Sequence, residues 1–301
     1  MTIKYRIGIM PGPWPAGRDG AGFLWTLCDM LERSDVDSIW LSDRLSSPAP
    51  VPEVMTTLAA IAARTTRLKF GPSVVVLPYR TPVVAAKEMA TVDWLSQGRL
   101  FPAVGVGVEL PREFDASGVP FKERGKRTDE AIHVIRLLWT QDDVSFQGEF
   151  YKLDRVTIFP KPWQTPPPIW IGGNSARARR RVAELGDGWH TSSLNAAAMA
   201  PGWAHLQALW EKHGRQGKPV LSARVELSIE GVSTAVLSYP PRPGRPARMP
   251  LSGSVGAIVE QIGAFQEVGV EHLVFETSTQ SHDSTLATME AFMQRVQPQL
   301  A

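Results

Sequence analysis

Three short stretches of this sequence combine residue types that bind ligands or move charge. Asp43-Arg44 follows Ser38–Leu41, a run that reads as a buried strand. A carboxylate there can exchange a proton or anchor a polar ligand, and its neighbour is a permanent cation. Gly105-Val106-Gly107-Val108-Glu109 closes another such run. Its glycines let a flat ligand approach the backbone, and Glu109 can give or take a proton. Gly172-Gly173-Asn174-Ser175 opens a helical segment carrying Arg177, Arg179, Arg180 and Arg181. Glycine backbone and the free N–H groups of a helix N-terminus can cradle a phosphate. The same residues also suit a plain turn with a serine cap ahead of a solvated basic helix.

Further candidates are His190, with Thr191 and Ser192 behind it, and Trp14 and Trp189, whose strand-end positions suit the border of a ring-shaped ligand. Asp43 and Glu109 also suit structural ion pairs, with Arg44 or Arg112 as partner. Trp25, Trp94, Trp139 and Trp210 fall on helix faces that point to the core. The six histidines show no metal-ligand spacing. Neither a Gly-x-Ser-x-Gly elbow nor a phosphate loop ending in Gly-Lys-Ser/Thr occurs, which removes support for hydrolase and kinase readings.

These residues need a scaffold that gathers strand ends. Apolar runs at Arg6–Met10, Ser38–Leu41, Leu68–Val76, Leu100–Val106, Ile169–Gly172, Gly188–His190, Ala223–Ile229 and Leu273–Glu276 read as strands. Helix-period segments alternate with them, among them Pro52–Arg64, Val83–Leu95, Thr128–Trp139, Ala176–Leu185, Ala198–His213, Val255–Glu267 and Ser284–Val296. Eight strands alternating with helices predict an α/β fold, a (β/α)8 TIM barrel, whose reactive groups lie at the strand C-termini. A doubly wound open sheet is the alternative, because periodicity does not reveal closure. One domain over residues 1–301 is expected, with insertions near 142–168 and 232–252. The first contains a hairpin-like stretch; the second carries the proline- and arginine-rich run 238–250.

Composition narrows the class. The chain has 301 residues, 43% of them hydrophobic, and a net charge of +2 with dispersed basic residues. That balance gives one sizeable core and no nucleic-acid stripe. No apolar run nears the roughly 18 residues of a membrane span. The single Cys28 fits a reducing compartment, so a cytoplasmic location is expected.

The order of several motifs resembles the luciferase-like monooxygenase superfamily. The motifs are Leu77-Pro78-Tyr79-Arg80-Thr81-Pro82, Leu95-Ser96-Gln97-Gly98-Arg99, Gly105-Val106-Gly107, Arg124-Gly125-Lys126-Arg127-Thr128-Asp129-Glu130 and Pro168-Ile169-Trp170-Ile171-Gly172-Gly173. The fourth run and the Leu-Pro-Tyr opening are most similar to the subgroup that uses coenzyme F420, a deazaflavin. The resemblance implies that Asp43 contacts the deazaflavin and that Gly107, Val108 and Glu109 line its pocket. It implies that Gly172, Gly173, Asn174 and Ser175 hold the phosphate. It also implies a cis peptide at or next to Ser73-Val74, backing the ring, and a homodimer. Several relatives in the subgroup carry Asp-His after the second strand, with histidine as base. Here Arg44 stands in that place and cannot be a base. The expected activity is therefore hydride transfer that favours reduction of an activated C=C or C=O in a small-molecule substrate, with Arg44 stabilising anionic charge and Glu109 supplying the proton. An FMN-dependent monooxygenase and a non-catalytic flavin-binding barrel are the alternatives.

Overall fold

A computed structural model describes residues 6–12, 20–47, 50–107, 110–234, 248–277, 279 and 281–300. Trp14, Val108, Glu109 and most of the proline-rich run 238–250 lie outside the described residues.

The strands are β1 (Arg6–Pro11), β2 (Ser38–Leu41), β3 (Lys69–Pro72), β4 (Val75–Val76) and β5 (Ala103–Gly105), then the hairpin β6 (Val144–Gln147) and β7 (Lys152–Val156). After it come β8 (Trp170–Gly172), β9 (Gly188–Ser192), β10 (Val220–Ile229), β11 (Leu251–Gly253) and β12 (His272–Thr277). The main sheet runs in the order β3-β2-β1-β12-β10-β9-β8-β5-β4, every pairing parallel, with β11 beside β10. β3 and β4 are two halves of one stave interrupted at Ser73 and Val74. Eight staves thus form a nearly closed barrel, and a bridge from Phe70 to Leu100 ties the seam. Every predicted strand has a counterpart.

Helices cover the outside: α1 (Gly20–Glu32), α2 (Val54–Arg64), α3 (Pro82–Leu95), α4 (Pro111–Ser117), α5 (Arg124–Thr140), α6 (Ala176–Leu185), α7 (Ala196–Lys212), α8 (Val255–Val268) and α9 (His282–Ala291). Their starts are written in the sequence. Thr81, Ser175 and Ser254 cap α3, α6 and α8 by accepting from backbone N–H groups three residues on, and Pro82 sits in the first turn of α3.

Alternation along the staves divides two cores. In β10, Leu221, Ala223, Val225 and Leu227 join the large cluster under the helices, while Ser222, Arg224 and Glu226 occupy the alternate positions, on the inner side. A second cluster fills the barrel interior with Met10, Trp40, Phe101, Ala103, Trp170 and Val274. Trp40 stacks on Phe101 and Trp170 at ring separations of 5.5 and 5.8 Å. Gly8 and Gly71 make this possible, because a Cβ on either would stand 2.6 or 2.8 Å from the Trp40 ring. Trp139 and Trp210 are buried as expected, but Trp94 is 50% exposed. The inward face of α3 is instead made by Ala85, Ala86, Met89, Ala90 and Val92, small residues that let the helix sit close to its neighbours.

Candidate active site

The C-terminal ends of the staves converge on Ser73 and Val74, joined by a cis peptide bond as the resemblance implied. The Val74 side chain fills a niche left by two glycines. A Cβ on Gly105 would stand 2.6 Å from Val74 Cγ2, and one on Gly172 would stand 2.6 Å from Cγ1. Gly172 is thus needed for packing across the barrel mouth as well as for its place in the Gly-Gly-Asn-Ser turn. Gly107 has φ of 77°, in the left-handed region that glycine tolerates, and Val76, Phe114 and the Tyr79 hydroxyl crowd the place of its missing side chain.

Behind this shelf, Asp43 accepts from Val76 N at 2.8 Å and from both terminal nitrogens of Arg80 at 2.6 and 3.2 Å. The ion pair anticipated for Asp43 exists, with Arg80 and not Arg44 or Arg112 as partner. Arg80 reaches Glu53 as well, at 2.6 Å. Arg44 turns to Glu113, a buried carboxylate 3.0 Å away that also accepts from Tyr79 Oη at 2.9 Å and from Ser46 N. Burial, then the hydrogen bond to Glu113, raises the Tyr79 pKa and keeps the phenol protonated.

The phosphate-cradle candidate sits at the start of α6. Gly173 has φ of 118°, and its carbonyl accepts from Trp189 Nε1 at 2.7 Å. Asn174 exchanges hydrogen bonds with the backbone of Ser192. Ser175 Oγ is committed to capping Ala178 N. The turn is therefore held rigid from behind by side chains. Trp189 does this from the core, 1% exposed, and does not border the mouth as its strand position had suggested. Arg179 holds the Asn174 carbonyl at 2.8 Å, while Arg177 is exposed.

His190 lies inside the barrel, 2% exposed, stacked 5.0 Å from Trp40. Its Nε2 meets Ser73 Oγ at 2.8 Å and its Nδ1 meets Ser222 Oγ at 2.9 Å. Burial above all, then the nearby charge of Arg224, lowers its pKa well below the ordinary range, so the ring is neutral.

Sequence reading missed the inner face of β10 and its neighbour β12. Arg224 extends to the Ser73 carbonyl at 3.4 Å and to Glu276 at 3.4 Å. Glu226 is held by Ser193 and by Arg248, which follows the proline-rich run, at 2.9 and 2.6 Å. A signal was present: Ser222, Arg224 and Glu226 alternate with apolar residues in a strand that must be covered on its outer face. Arg80 and Tyr79 were legible only as parts of a motif. Among the described residues no group of acidic residues, histidines and cysteine is arranged to hold a metal ion.

The arrangement defines a class. A nearly closed parallel barrel has a glycine-bordered mouth, and the chain matches the luciferase-like monooxygenase family over residues 10–236. The protein belongs to that family. Two relatives mark its range: an F420-dependent glucose-6-phosphate dehydrogenase of Amycolatopsis mediterranei, 35% identical over 54% of this chain and 50% of that one, and an FMNH2-dependent dimethylsulfone monooxygenase of Pseudomonas putida, 36% identical over 48% and 40%. The matches thus span about half the length of these relatives or less. The monooxygenase RslO1 of Streptomyces bottropensis superposes with a TM-score of 0.83 at 20% identity, covering 98% of this chain and 100% of its own, and attests the fold. The relatives are F420- or FMN-dependent oxidoreductases, which supports an enzyme with a flavin-type cofactor.

Proposed function

We propose that this protein is a coenzyme F420-dependent oxidoreductase transferring a hydride between deazaflavin C5 and a small organic substrate. The observation that carries this reading is one adjacency. The shelf at Val74, bordered by Gly105 and Gly172, lies at the same end of the barrel as the N-terminus of α6. A flat ring suits the first and a phosphate the second. Ser73, Val74, Gly107 and Val108 would border the ring, while His190, expected there from its strand end, lies buried behind Ser73 and would act through its hydroxyl. Gly172, Gly173, Asn174 and Ser175 would form the phosphate cradle: the two glycines leave the backbone bare, the Gly173 N–H is committed to the His190 carbonyl, and the N–H groups at the start of α6 would be the donors. Asp43 would meet the ring edge or ribityl chain while fixing the shelf through Val76 N.

Bound there, a reduced deazaflavin supplies a hydride, whereas reduced FMN supplies oxygen reactivity. Glu109 is the proposed proton donor. Arg44, held by Glu113, is the proposed stabiliser of anionic charge on the substrate. A fixed cation where a base would stand favours reduction over alcohol oxidation. The FMN alternative is supported by the dimethylsulfone monooxygenase relative, whose identity equals that of the F420-dependent one within a per cent. Anaerobic mixing with reduced F420 and a panel of enones and ketones tests the reading: oxidation of the cofactor only when both substrate and protein are present supports it. Oxygen uptake with reduced FMN, and none of that F420 oxidation, would move the assignment to monooxygenase. An Arg44→His variant with an unchanged hydride-transfer rate would remove Arg44 from the mechanism.

A further inference from the structure

A continuous line of polar side chains joins the barrel mouth to its far end. Ser73 Oγ lies 2.8 Å from His190 Nε2, and His190 Nδ1 lies 2.9 Å from Ser222 Oγ. Ser222 Oγ is 3.4 Å from His272 Nδ1, and His272 Nε2 is 3.0 Å from Ser38 Oγ. Trp40 Nε1 donates to Ser38 Oγ at 2.9 Å. His190 is 2% exposed, and Ser222, His272 and Ser38 are fully buried. None of these four can turn to bulk water for a missing partner.

Donor accounting gives the line a direction. An indole N–H can only donate, so Ser38 Oγ accepts from Trp40. If His272 also donated to Ser38 from Nε2, the Ser38 hydroxyl hydrogen would have no acceptor among the described residues. An unpaired buried donor is the costly outcome. Asp37 does not alter this, because its Oδ2 is 3.9 Å from His272 Nε2, beyond hydrogen-bonding distance, and is paired with Arg6. Ser38 therefore donates to His272 Nε2. His272 donates from Nδ1 to Ser222, Ser222 to His190 Nδ1, and His190 from Nε2 to Ser73. Each ring must be neutral, with one donor and one acceptor nitrogen. Burial first, then Arg6 and Lys69, lowers the His272 pKa, as burial and Arg224 do for His190.

We infer that Trp40, Ser38, His272, Ser222 and His190 form a one-way hydrogen-bond relay that holds the Ser73 hydroxyl as a donor at the barrel mouth, for a carbonyl oxygen or unprotonated ring nitrogen of a bound ligand. Ser73 Oγ receives the His190 N–H and stands 3.5 Å from Arg224 Nη1, so its acceptor capacity is used. Its own O–H has no acceptor among the described residues. His190 and His272 are positioning residues, acting through Ser73. The ligand half of this inference rests on the mouth being a flavin or deazaflavin site.

Nitrogen-15 NMR of the histidine-labelled apo-protein tests the relay without any cofactor, with resonances assigned from His190→Asn and His272→Asn variants. The expected result is His190 protonated at Nε2 and His272 at Nδ1. The opposite tautomer at either ring would overturn the relay. The wild-type protein alone carries this readout, and signals lost on substitution suffice for assignment if a variant retains the fold. In a second arm, Ser73→Ala is titrated with F420 beside the wild type, and about a tenfold loss of affinity is expected for one hydrogen bond. Equal affinity would overturn the donor role while leaving the cofactor assignment standing. If the wild type binds neither F420 nor FMN, the cofactor reading fails, and the tautomers still decide the relay.

Discussion

Asp43 and Arg80 hold each other through two hydrogen bonds, and the same Asp43 oxygen that meets Arg80 at 2.6 Å also takes the Val76 N–H. One carboxylate thus ties the loop after β2 to the backbone just beyond Ser73 and Val74. Both side chains are largely buried, so removing one leaves an uncompensated charge. Arg80→Ala is expected to lower unfolding free energy by about 3 kcal/mol, measured by urea denaturation. Arg80→Lys, which keeps the charge but not the fork, should fall between. A loss below about 1 kcal/mol for the alanine variant would reduce the pair to a surface contact.

Val74 and its two glycines form a size-matched set. Gly105→Ala should cost about 1–3 kcal/mol, since the new methyl meets Val74 Cγ2. In a Val74→Ala background most of that cost should vanish. A double-mutant cycle with a coupling near zero would contradict the packing account.

Both buried histidines make stability depend on pH. Their folded-state pKa values lie below the unfolded value, so between the two the unfolded chain binds more protons and stability falls as pH drops below about 6.5. Each ring contributes a slope of about 1.4 kcal/mol per pH unit. Urea unfolding between about pH 5 and 7 should therefore steepen acid destabilisation in the wild type relative to His272→Asn. Equal slopes would mean that the ring gains a proton without unfolding.

Of the large apolar side chains exposed among the described residues, all but Leu45 lie on α3 or on a segment beside it. Val84, Trp94 and Leu95 lie on that helix; Phe159 and Trp163 belong to a segment running along it, which Gln164 ties to Asp93 and Lys87 to the Phe159 carbonyl. A homodimer covering this strip is proposed. Sedimentation should give a dimer for the wild type and a lighter species for Trp94→Glu; a wild-type monomer at micromolar concentration would contradict it.

The barrel was legible because buried parallel strands are short apolar runs and the helices between them carry their own caps. The glycines of the mouth were legible as types, but not what fills their space: nothing local says that Val74 reaches both Gly105 and Gly172. Asp43 was visible as a candidate and Arg80 as part of a motif, but not their pairing, since 37 positions separate the partners and only closure of the barrel brings them together. Trp94 and Trp189 were misplaced for a common reason. A tryptophan satisfies an apolar pattern equally well facing the core, the solvent or a neighbouring molecule, and only packing decides.

The central claim is that the mouth binds a deazaflavin, and the most direct test is a paired fluorescence titration of purified apo-protein with F420 and with FMN. Tight binding of F420 with weak or no binding of FMN is the predicted result. Tight binding of FMN alone, or of neither, would contradict it.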